Sequence, residues 1–82
     1  MPSYIDAEQI LNMTDEMISE INSIVKEYDL RVLLFFDREK RFLGICICDN
    51  DKVNKLKKKH LKEGVGVGVG KEVIRPIMIG KN

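Results

Sequence analysis

No apolar run in this chain approaches the roughly eighteen residues that a membrane-spanning helix needs, and no signal-peptide pattern opens it. Cysteine is scarce, at two residues, and histidine occurs once. A disulfide framework or a four-ligand zinc site needs more such residues, in closely spaced pairs. Net charge is close to zero, at +1, and by itself points to neither a polyanion nor a membrane surface. No catalytic or cofactor motif stands out. These absences lead to the expectation of a cytoplasmic, non-enzymatic protein without membrane, metal or cofactor.

What is present is the composition of a globular domain, with 44% apolar and 33% charged residues in 82. A chain of this size forms one domain, residues 1–82, and buries only about 60 to 65% of its unfolded surface, so its stability is modest unless a partner adds to it. The stretch 30–48 organises the rest. It reads Leu-Arg-Val-Leu-Leu-Phe-Phe-Asp, then Arg-Glu-Lys, then Arg-Phe-Leu-Gly-Ile-Cys-Ile-Cys. Two β-branched and aromatic runs around a short charged turn at 37–40 predict a β-hairpin. In the first strand Leu30, Val32, Leu34 and Phe36 share one side and Leu33 and Phe35 the other. The hairpin is therefore expected to be buried on both faces.

Ahead of it, Asp6 and Gln9 stand in capping-box positions. Ile10, Leu11, Met17, Ile18, Ile21, Ile24, Val25 and Tyr28 then recur at helical spacing, predicting an amphipathic helix that ends near Tyr28. Thr14, Asp15 and Glu16 would also suit a helix start, which allows a break near Asn12. After the hairpin, Asp49, Asn50 and Asp51 can open a second helix that carries Val53, Leu56, His60 and Leu61 on a narrow apolar stripe and stops at Gly64. The run Gly-Val-Gly-Val-Gly-Val-Gly at 64–70 has the period of a strand, with Val65, Val67 and Val69 on one face and bare glycine on the other. Such a bare face implies close approach by a helix, a backbone or a ligand. Residues 72–79 read as a last strand, where Pro76 favours an edge position or a bulge.

The order helix, strand, strand, helix, strand, strand predicts an α+β domain of αββαββ type, a four-stranded, mainly antiparallel sheet with two helices on one face. The hairpin segment from Val32 to Ile45 resembles the hairpin of CBS domains, in which a Leu-Val-Gly-Ile-like strand precedes a helix. The two positions that hold the nucleotide ribose in that family fall here on Ile47 and Asn50, which lack that chemistry. The succession of helix, hairpin, helix and hairpin is similar to the start of roadblock-type modules, which dimerise and regulate small GTPases.

Several candidate sites can be weighed. The glycine run followed by Lys71 lacks the glycine and the Ser or Thr of a phosphate loop, having Val65 and Glu72 there instead. Cys46 and Cys48 with Asp49 and His60 could be assembled into a zinc site. They lack a second ligand pair, and buried reduced thiols are the simpler expectation. Charge is unevenly distributed: residues 1–29 carry −6 and residues 30–82 carry +7. Lys52, Lys55, Lys59 and Lys62 line one side of the second helix, with Lys57 and Lys58 nearby. This stripe could contact phosphates without reading bases, or lie beside the acidic first helix. The sheet face that two helices on one side would leave bare, together with the bipolar charge, leads to the expectation of a regulatory or scaffolding module. It self-associates as a homodimer or larger and binds a protein partner. Val65, Gly66, Val67, Gly68 and Val69 are its candidate interface. The alternative is a nucleic-acid-binding accessory protein using Lys52, Lys55, Lys58, Lys59 and Lys62.

Overall fold

The computed structural model describes residues 3–74. The elements are β1 (Ser3–Asp6), α1 (Ala7–Leu11), α2 (Asp15–Glu27), β2 (Arg31–Phe36), β3 (Phe42–Cys48), a short 3₁₀ turn (Asn50–Lys52), α3 (Val53–Lys62) and β4 (Gly66–Gly70). They build an α+β domain on a four-stranded sheet of order β1-β3-β2-β4, in which every pairing is antiparallel.

Local chemistry explains most boundaries. Asp6 ends β1 and caps α1: its carboxylate accepts from the Gln9 amide at 2.8 Å while Gln9 Oε1 accepts from the Asp6 amide at 3.0 Å. Thr14 caps α2 by accepting from the Met17 amide. The expected long helix is therefore two helices, joined through 12–14. Asp29 at φ 51° turns the chain into β2. The hairpin turn is wound around Asp37, whose side chain accepts from the amides of Glu39 and Arg41.

The sequence reading did not contain β1. It lies against β3 in the register Tyr4↔Cys46 and Ile5↔Ile45, and it can do so because residue 44 is glycine. Gly44 has φ +152°, and a Cβ built there would sit 2.6 Å from the Ile5 carbonyl oxygen and 2.9 Å from the Asp6 Cα.

The hairpin is apolar on both faces, as expected, and both faces are covered. Val32 and Ile45 pack with Ile10 of α1 and Val25 of α2. Leu33, Phe35, Cys46 and Cys48 pack with Leu56 of α3. The two helices made from the first helical stretch share one face, and α3 takes the other. The bare sheet face expected to drive self-association is thus occupied by α3, because each apolar side of the hairpin needs its own cover. For the same reason the lysine helix does not lie beside the acidic one.

The chain after α3 also differs from expectation. β4 pairs with β2, in the register Leu33↔Val69 and Phe35↔Val67, and not with a strand that follows it. Lys71 and Glu72 form a bend, and Val73 is buried in the core beneath α2. The predicted strand over 72–79 does not form in its described part, since Asn22 takes both backbone groups of Val73; residues 75–79 lie outside the described residues.

Candidate interaction surface

β4 is an edge strand, and its two sides are unlike. Val65 and Val67 pack against the α3-side core, whereas Val69 is 45% exposed. Gly68 and Gly70 stand in register with Leu34 and Val32, on the side of α1 and α2. The close neighbour expected over the glycines is missing among the described residues: a Cβ at Gly68 or Gly70 would meet nothing within 4 Å, and one at Gly66 only ordinary contact with Phe36. Among the described residues, no atom of α2 comes within 4 Å of a Cβ at Gly68 or Gly70, while Val25 of α2 packs with Val32 and Ile45 of the central strands. At the start of β4, Arg38 from the hairpin turn lies against Gly64, and Arg38, Lys40, Leu61 and Gly66 line an open hollow of about 680 Å³. Neither Arg38 nor Lys40 was singled out from the sequence; their only signal was their place in a charged turn.

The second candidate surface is α3. Lys52, Lys55, Lys58, Lys59 and Lys62 are exposed. Among the described residues no lysine of this helix makes an ion pair. The acids of α2 are on the far side of the sheet, so the two helical layers present opposite charge to opposite directions.

Cys46 and Cys48 are buried free thiols on the α3 side of the sheet. Burial, reinforced by neighbouring Cys46 and Asp49, pushes the Cys48 thiol up to about 11, and burial raises Cys46 as well. His60 stacks on Phe35 with ring centroids 4.3 Å apart, and its Nδ1 lies 2.9 Å from the Leu56 carbonyl oxygen. Tyr4 extends the stack, 6.3 Å from Phe35. Among the described residues no cluster of three or more His, Cys, Asp or Glu is placed to hold a metal ion, and no helix is long and apolar enough to cross a membrane. Ile47 packs on the α1 and α2 core and Asn50 opens the 3₁₀ turn, so neither position resembles a ribose site.

The fold and these surfaces define a small α+β domain whose two sheet edges, β1 and β4, have no further strand beside them among the described residues, with two oppositely charged helical layers. In comparisons with known proteins, no protein-family model, no curated protein and no solved structure matches the chain.

Proposed function

We propose that this chain is a small non-enzymatic interaction module of the reducing cytosol that self-associates through β4 and binds a protein partner which it scaffolds or regulates. The observation that carries this is the character of the β4 edge. Sheets protect their edges with charge, proline, bulges or covering segments. β4 has none of these: it reads Gly-Val-Gly-Val-Gly, pairs with β2 in unbroken register and is open on its outer side among the described residues. An antiparallel pairing of two copies about Gly68 would set Val67 of one against Val69 of the other, giving the half-exposed valine an apolar neighbour. It would also bring the Lys71 end of one strand toward the Glu63 end of the other. Buried thiols with raised pKa and a histidine engaged in stacking fit packing better than catalysis.

Sedimentation equilibrium across the micromolar range tests this. A concentration-dependent dimer that Val69→Lys converts to monomer is expected, and a clean 9.4 kDa monomer for the parent would overturn the self-association.

A second reading, polyanion binding by α3, is favoured by one observation: its exposed lysines make no ion pair among the described residues and are turned away from the acids of α2. Sequence-independent DNA binding that weakens steeply with salt, and weakens further in Lys55→Glu with Lys59→Glu, would support it.

A further inference from the structure

The opposite edge of the sheet carries a different surface. Between α2 and β1 there is an apolar hollow of about 290 Å³, lined by Ser3 and Ile5 of β1, Ile47 of β3, Leu30, and Ile21 and Ile24 of α2. Its α2 wall continues as an exposed ridge. Met17, Ile24 and Tyr28 are 47%, 50% and 65% exposed and lie on one side of the helix at spacings of seven and four. Beside that ridge run Glu16, Glu20 and Glu27, exposed and without an ion pair among the described residues. The floor is an edge strand: β1 pairs only with β3, so its outer backbone groups have no strand partner among the described residues. Tyr4, 54% exposed, stands on the other side of the same strand.

We propose that this groove takes an extended segment of a partner protein, added as a strand to the outer edge of β1. Apolar side chains at its alternate positions fill the hollow under α2, and Lys or Arg at its ends meets Glu16, Glu20 and Glu27. The proposal rests on the reading of the chain as a module that binds a protein partner, and it is independent of the β4 edge. A strand is the occupant that the surface fits, because only a strand pairs with the backbone of β1 while its alternate side chains enter the hollow. The acidic lip selects a basic segment and repels nucleic acid and anionic lipid. It also disfavours a second copy docked through the same groove, since that would bring two rows of glutamates together.

The test uses fluorescence anisotropy on the full chain with a fluorescein-labelled peptide, Lys-Lys-Val-Thr-Val-Thr-Val-Lys-Lys, and its counterpart with Glu in place of Lys. The basic peptide is expected to bind about tenfold or more tightly than the acidic one. Ile24→Ser is expected to weaken the basic peptide by roughly tenfold. The double variant Glu20→Lys and Glu27→Lys, which changes only exposed side chains, is expected to reverse the preference. The same peptide N-methylated along its backbone is expected not to bind, which separates strand addition from general apolar or ionic contact. Val69→Lys, at the far edge, is expected to leave peptide binding intact, so failure of self-association through β4 and failure of this groove are distinguishable. Equal binding of the two peptides, binding of the N-methylated peptide, or no binding up to about 1 mM would overturn the proposal. So would a change in the sedimentation of the unliganded chain on Ile24→Ser, since the groove would then hold a second copy.

Discussion

Asn22 of α2 and Val73 are joined like paired strands: Asn22 Nδ2 donates to the Val73 carbonyl at 3.0 Å and the Val73 amide donates to Asn22 Oδ1 at 2.7 Å. One side-chain amide thus satisfies both polar groups of a buried backbone unit and fixes the chain that leaves β4 against the α2 layer. Asn22→Leu would leave a buried donor and acceptor without partners, and the fold should lose about 1 to 3 kcal/mol. Asn22→Asp keeps the acceptor but loses the donor and sets a carboxylate against a carbonyl. Urea denaturation should rank the parent above both variants, with the Val73 amide losing its protection against hydrogen exchange in Asn22→Leu and keeping most of it in Asn22→Asp, where the acceptor remains.

Gly44 and Gly68 should respond to alanine in opposite ways. At Gly44 the methyl group runs into the backbone of β1, at a φ that side chains disfavour, and Gly44→Ala should destabilise by about 2 kcal/mol or more as β1 is pushed away. At Gly68 a methyl group meets nothing within 4 Å among the described residues, so Gly68→Ala should be neutral or stabilise by up to about 1 kcal/mol through the unfolded chain. Chemical denaturation of the two variants side by side checks both signs.

The fold was legible from the sequence where a signal is local. The hairpin could be read because both its faces are apolar over many residues, and the capping box at Asp6 because two side chains three apart specify it. Ser3, Tyr4 and Ile5 gave no strand signal, since three residues before a helix cap show no period. The side chosen by α3 was hidden because Val53 and Leu56 say how wide its apolar stripe is, not which face of the hairpin it meets. Asn22 stood among the polar residues of its helix, and nothing local links it to Val73. The glycine alternation announced a strand and a bare face correctly, but what lies over that face depends on the reach of α2. Of the candidate sites, the valine and glycine strand and the lysine row were visible as composition. The groove at β1 was not, because its floor depends on the unseen strand.

The thiols offer a chemical test. A thiol pushed up to about 11 is almost wholly protonated near neutrality, and the protonated form is a poor nucleophile. Cys48 should therefore react slowly with a disulfide reagent at pH 8 in the folded protein, and Cys46, also raised by burial, likewise. Both should react at once after denaturation. Rapid reaction of either in the native state would mean that the α3 side of the sheet opens readily.

The hairpin turn should be sensitive to acid. Hydrogen bonds from the Arg41 amide, and from its side chain, hold the Asp37 carboxyl below the usual carboxylate range. Because the folded value is depressed, its contribution to stability is complete above the unfolded value near about 4 and is lost as pH falls through the lower folded value. A side-chain NMR titration should place the Asp37 midpoint below that of an exposed aspartate. Asp37→Asn should loosen the turn at neutral pH while making it less dependent on acid.

The strand order β1-β3-β2-β4 also has a kinetic meaning. The central pair closes over a turn of a few residues, whereas each outer strand must be brought in from a different end of the chain, which is entropically slower. The hairpin should zip first and the flanks join afterwards. The same hierarchy should govern opening of the native protein: amides of Leu33 and Cys46 should exchange only when the whole domain unfolds, and those of Tyr4 and Val69 through smaller, more frequent excursions. The two strands that meet other molecules in our proposals would then be the ones the domain releases most easily, so that binding at either edge would slow its exchange and raise the protein's apparent stability.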